Sequence, residues 1–212
     1  MISDILHYFQ TDLDTWLMAG AEHILISFAS LFFAAAIGIP AGFLSSRNQH
    51  WYRFSTTTFN TLRIVPSLAM IVVLIPVIGT GFFTAMIALV VLGIPPILLA
   101  TAAAFRSIPD FITDNALGMG MDRRQLFLMV KFPIALPLIL TGVKTALVEI
   151  IASATLAAYI GGGGLGGIVL TGLGLNRTDL LFIGGASVAI LSMIANTSMT
   201  QIQRRVAHPM TE

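Results

Sequence analysis

Polarity along the chain comes in long blocks rather than in short alternations. Runs of about 20 mostly apolar residues, the length needed to cross a bilayer as a helix, fall at about 23–45, 59–78, 82–104, 133–160 and 180–200. This pattern predicts an all-α integral membrane protein with five transmembrane helices. The expected layout is an extracytoplasmic N-terminal segment over 1–22, a transmembrane domain over 23–204 and a cytoplasmic tail over 205–212. A structured loop over about 106–133 lies between the third and fourth spans. No cleavable signal peptide is evident, because the first residues carry Asp4, Asp12 and Asp14 and lack a basic start followed by a compact apolar run.

The sparse charges set an orientation. Arg47 and Arg53 follow the first span, Arg106, Arg123, Arg124 and Lys131 lie between the third and fourth, and Arg204 and Arg205 follow the fifth. The opposite loops carry only Arg177. Positive charge in short loops marks the cytoplasmic side. An odd number of spans then puts the N-terminus outside and the C-terminus inside.

Composition narrows the classes further. Of 212 residues, 56% are hydrophobic and 10% charged, whereas soluble domains carry about 25% charged residues. The net charge of +1 offers no footprint for nucleic acid. With no cysteine, disulfides, thiolate catalysis and cysteine metal sites are excluded. His7, His23, His50 and His208 have no metal-ligand spacing, and none is expected in a span interior. An intramembrane protease, which would need a serine with such a histidine or a paired aspartate site, is therefore not supported.

The spans contain Pro40, Pro66, Pro76, Pro95, Pro96 and Pro137. Neighbouring helices and water can satisfy the backbone groups these prolines release, so they read either as ordinary kinks or as the lining of a path. Gly38 and Gly42 form a G-x-x-x-G pair suited to close helix contact. Trp16 and Trp51 read as interface anchors outside the spans. In the loop, Ser107 caps a short helix with Pro109 in its first turn and Asp110 in third position. Ile108, Phe111, Ile112 and Met119 make its apolar side, and Gly118 and Gly120 end it. Asp122 with Gln125 reads as a second cap, opening another short helix over 123–130 that leads to Pro133. The loop is thus a helical elbow, either a connector on the lipid surface or a docking surface for a partner.

Here the residues carry a resemblance. Asp114-Asn115-Ala116, then Gly120, then Val130-Lys131-Phe132-Pro133 resembles the E-A-A-x3-G-x9-I-x-L-P loop of ABC importer permeases. The string Ala116-Leu117-Gly118-Met119-Gly120-Met121 with Gln125 is similar to the osmoprotectant (glycine betaine/carnitine/choline) branch. Glu22-His23, Ile39-Pro40-Ala41-Gly42, Val65-Pro66-Ser67-Leu68-Ala69 and Ala154 to Gly166 extend the likeness over about 20–200. Departures stand at Arg63-Ile64, where the branch has Gln-Thr, and at 97–105.

The resemblance implies a membrane permease rather than an enzyme, moving a compatible solute or, alternatively, an amino acid; a non-transporting scaffold is a further reading. It implies two ATP-binding cassette subunits, a second permease copy or sister permease, and a separate solute-binding protein. ATP and Mg would be used by the partner, with no cofactor in this chain. Asp114, Asn115, Ala116, Gly118, Gly120, Asp122, Arg123, Gln125 and Pro133 become candidates for the ATPase-coupling loop. Pro66, Ser67, Glu149, Thr155, Tyr159 and Gly163 become candidates for the path or gate.

Two intramembrane charges, Lys144 and Glu149, occupy the fourth span. Lys144 could snorkel to the interface, whereas the deeper Glu149 suggests a structural or pathway role. The glycine run 161–167 lacks the Lys-Ser/Thr of a phosphate loop and reads as a tight outer re-entry. No aromatic cage for a quaternary ammonium is visible, so selection is expected in the binding protein.

Overall fold

A computed structural model describes residues 2–207, and it contains helices and turns with no strand among them. In chain order the helices are α1 (Ile2–Thr11), α2 (Leu13–Ser46), α3 (Gln49–Leu62), α4 (Ser67–Ile78), α5 (Phe82–Arg106), α6 (Asp110–Gly118), α7 (Arg123–Gln125), α8 (Phe132–Ala157), α9 (Gly166–Gly174) and α10 (Thr178–Ala207). A π-helical stretch, Leu126–Lys131, joins α7 to α8, and a 3-10 turn, Ala158–Ile160, closes α8. Four stretches are long and apolar enough to cross a bilayer, five if the bent pair α3–α4 counts as one span. The expected tail beyond Ala207, with His208, lies outside the described residues.

The first span is longer than its apolar block. α2 starts at Leu13 rather than near His23, because its first turns pack against protein. Tyr8 of α1 packs with Leu165, Ile168, Leu180 and Ile183, and Trp16, inside α2 rather than outside a span, donates its indole N–H to Ser187 Oγ at 2.8 Å. Apolar length reports the lipid-crossing part of a helix; backbone hydrogen bonding continues wherever a neighbour covers it. His23 accordingly falls inside a span, against the expectation of none. It is fully buried, with Nε2 3.0 Å from the Ile151 carbonyl.

The second span is not one helix. α3 ends at Leu62, and α4 leaves at 92° to it. Pro66 has no N–H to continue the ladder and biases Val65 away from the helical region. α3 carries Arg53, His50 and Asn60, with Trp51 and Phe54 exposed, the composition of an interfacial helix. α4 has 12 residues, about 18 Å of rise, little more than half of a hydrocarbon core of about 30 Å.

The elbow also differs in detail. Ser107 does not cap α6: it ends α5, with its hydroxyl donating to the Ala104 carbonyl. Ile108 and Ala116 are buried, but Phe111 is 63% and Met119 73% exposed, so the last two lie off the buried face. The second elbow helix is not separate from span four. From Arg123 the chain stays helical to Ile160; Phe132 N–H reaches back to Phe127 O in the π stretch, and this wider turn is absorbed just where Pro133 removes a donor.

The bundle is centred on α2, α5 and α8, where glycines allow close approach. A Cβ on Gly42 would sit 2.6 Å from Leu98 O and one on Gly38 3.0 Å from Ile97, so the G-x-x-x-G pair does face α5. On the other side of α5, Gly93 meets Ile150 and Ala34, and Gly142 of α8 meets Ala100 and Pro96. Ile26, Leu89, Ile150 and Ala154 fill the core between them.

Candidate functional site

The elbow is built by its turn chemistry. α6 ends in a Schellman turn: Gly120 N–H donates to Leu117 O at 2.9 Å and Met121 N–H to Ala116 O at 3.2 Å. That closure needs a left-handed residue, which Gly120 supplies at φ 86°. Asp122 then makes a capping box. Its Oδ1 accepts from Arg124 N at 2.7 Å and Gln125 N at 2.8 Å, and Gln125 Oε1 accepts from Asp122 N at 3.0 Å. Asp114, Asn115, Gly118, Asp122, Arg123 and Gln125 are exposed, while Ala116 is buried and anchors the helix. Ile108 packs with Ala104, Ala135 and Ile139, and Ile112 lies against the same cluster. The elbow is thereby fixed to both α5 and α8.

A basic, aromatic cavity lies beside it. Phe43 and Phe105 sit 4.8 Å apart between centroids, and Phe105 stacks on Phe127 at 5.9 Å. Arg47, Arg123 and Lys131 share the lining. Arg106 braces the corner, bonding Gln49 and lying 4.5 Å above the Tyr52 ring.

The second site is at the break in the second span. Arg63, Val65, Pro66, Ser67, Leu92, Glu149 and Ser153 are among the residues around an open cavity of about 350 Å³. Arg63 Nη2 donates to Glu149 Oε1 at 2.7 Å. Glu149 lies within the apolar helical stretch that runs from Arg123 to Ile160, and Arg63 stands at the break before the 12-residue α4. Side chains are 42% and 32% exposed, so the pair faces the cavity rather than a sealed core.

The structure joins Pro66, Ser67 and Glu149 in this cavity. Thr155, Tyr159 and Gly163 lie elsewhere. Thr155 Oγ1 is buried without a hydrogen-bond partner, Tyr159 is exposed, and Gly163 is in the glycine loop that follows α8. There Glu22 Oε2 accepts from Gly164 N at 2.9 Å, and Gly81 N–H donates to Ile160 O at 2.7 Å. These bonds tie the first third of α2 to the glycine loop and the start of α5 to the end of the α8 stretch. Arg63 was legible only as a departure from a motif. A further signal that could have found it, a charge inside an apolar block followed shortly by proline, stands in the sequence.

Over residues 34–208 the chain matches the model of the binding-protein-dependent transport system inner membrane component. The chain belongs to that family. It is 33% identical to a carnitine transport permease protein of Listeria monocytogenes, over 95% of this chain and 93% of the relative. A choline transport system permease protein of Bacillus subtilis is 29% identical, with the same coverage of each chain. The fold is also that of the inward-facing MetNI methionine ABC transporter. One crystal form superposes with TM-score 0.80 at 24% identity, covering 92% of this chain and 98% of that one. Another gives 0.77 at 27%, covering 90% and 96%. This permease is thus an inner-membrane transport component and not an enzyme, and permeases of this kind work with separate ATPase subunits and a solute-binding protein.

Proposed function

We propose that this permease imports a compatible solute of the glycine betaine, carnitine and choline class. The observation that carries the reading is the near full-length similarity to carnitine and choline permeases, together with a cavity at the broken span that is large enough for a small solute. The complete importer pairs two permease copies, or this chain and a sister, with two ATPase subunits and a separate binding protein. The N-terminus lies outside and the C-terminus inside, as the basic cluster at the elbow and the acidic residues Asp12 and Glu22 beside the glycine loop support.

The geometry supports a lever. The exposed residues of α6 form the surface on which an ATPase subunit pushes. Because helix runs unbroken from Arg123 to Ile160, displacing the elbow tilts the wall that carries Glu149. Rigid-body rocking of this sort exchanges inward and outward states. A second reading, an amino-acid cargo, draws on the likeness to the methionine transporter at 27% identity.

The test is ATPase stimulation in the reconstituted complex. Binding protein loaded with glycine betaine, carnitine or choline should accelerate hydrolysis, and methionine-loaded protein should not. Stimulation by the amino acid alone would replace the first reading with the second; stimulation by no solute would favour a scaffold.

A further inference from the structure

Arg63 and Glu149 are 86 residues apart in sequence and meet across the cavity. Their contact is a single bond from Nη2 to Oε1. A guanidinium has five N–H donors and a carboxylate two acceptor oxygens, and among the described residues neither side chain makes any other hydrogen bond. Both ions thus keep unused capacity toward the cavity. Ser67, first residue of α4, lines the same space. α4 begins its ladder with Met70 N–H to Pro66 O, which leaves the N–H groups of its first turn adding positive potential beside Arg63.

We propose that this ion pair is a two-pronged site for a small zwitterion, Arg63 taking the solute's carboxylate and Glu149 its cationic group. The physical reason is charge balance. A lone cation that drew Glu149 away would leave Arg63 uncompensated within the membrane, and a lone anion would do the same to Glu149; each outcome is costly. A zwitterion replaces both partners at once, and the pair re-forms when the solute leaves. The cavity wall near the pair, with Leu92, Val65 and Ala152, is apolar and strengthens both contacts. The inference rests on the importer reading and narrows its cargo. Betaine and carnitine carry the required carboxylate; choline does not.

The experiment compares Arg63→Gln and Glu149→Gln with wild type in vesicles holding the full complex, using betaine and choline uptake. Each variant's KM is divided by the wild-type value for the same cargo, which cancels the binding protein's own preference. Arg63→Gln should raise the betaine KM about tenfold or more, the scale of a lost charge-assisted hydrogen bond, and leave the choline ratio near one or below it. Glu149→Gln should impair both. Equal losses for both cargos in Arg63→Gln, as a purely structural pair would give, overturn the proposal, and so does no loss.

A second readout needs neither ATP nor binding protein. The chain has no cysteine, so Ala152→Cys places one thiol in the cavity wall. Betaine should slow its modification by a thiol reagent, and Arg63→Gln should abolish that protection. If wild type moves an amino acid but not betaine, the compatible-solute reading fails while the zwitterion site is tested on that amino acid against its amide. Uptake of no zwitterion refutes both.

Discussion

Replacing Gly142 with alanine probes the contact that holds α8 against α5. The new methyl would stand 2.5 Å from Ala100 Cβ, 2.7 Å from Pro96 O and 3.2 Å from Ile97 Cα. None of these atoms can rotate away, since all are backbone or the first side-chain carbon. Overpacking typically costs 1–3 kcal/mol, and this rigid site belongs at the upper end, about 3 kcal/mol. The gain in helix propensity from glycine to alanine offsets about 1 kcal/mol. The net is a loss of about 2 kcal/mol, and at roughly 2–4 °C per kcal/mol for a chain of this size the midpoint should fall by about 4–8 °C. Circular dichroism of the detergent-solubilised protein on heating reads this directly. Gly185→Ala in α10 is the control, because nothing lies within 4 Å of its added methyl and it should melt at or slightly above wild type. If Gly142→Ala melts with that control, the close α5–α8 approach is wrong, and with it the position of Glu149 opposite Arg63.

Three further perturbations address the turns. Gly120→Ala has open space around its methyl but a left-handed backbone, so the strain is local, about 1–2 kcal/mol; solute-stimulated ATPase activity should drop with little change in melting, and an unaltered rate would remove this turn from coupling. Asp122→Ala loses the one oxygen that accepts from both Arg124 N and Gln125 N, about 1 kcal/mol. Faster hydrogen exchange at Arg124 and Gln125, reversed in Asp122→Asn, is the expected signature, and unchanged exchange would contradict the capping box. Gly163→Ala combines φ 75° with a methyl 2.5 Å from Glu22 Oε2. It should release the Glu22–Gly164 bond and speed proteolysis of the outer loop, whereas a protease-resistant variant would show that Glu22 does not hold it.

Much of this molecule is written in its apolar blocks. They mark α5, α8 and the core of α2 and α10, and Gly118, Gly120 and the Asp122–Gln125 spacing mark a helix end and a second cap; that the end is a Schellman turn comes from the structure. What hydropathy could not see is where a helix continues past lipid. The start of α2 at Leu13, and hence the burial of His23, depends on Trp16 and Tyr8 packing against α9 and α10. Nor could it tell a kink from a right-angle break, since Pro66 and Pro76 look alike in sequence; Pro76 stays inside α4, whereas Pro66 begins it. On the elbow, Ile108, Phe111, Ile112 and Met119 share one apolar side in sequence, yet Ile108 is buried while Phe111 and Met119 are exposed, since an apolar pattern alone does not separate a partner surface from a core. Glu149 is visible in the sequence as a charge inside a span, and Arg63 only as a departure from a motif. Their pairing is a tertiary fact, set by the break that brings the end of α3 beside α8.

The central claim, an importer driven from the elbow, is tested most directly by accumulation of labelled glycine betaine in vesicles containing this permease, its ATPase subunits and loaded binding protein. The account predicts uptake that requires ATP on the elbow side and binding protein on the other, and that falls in the Gly120→Ala variant while the complex still assembles. Accumulation without ATP, or full uptake by that variant, would contradict it.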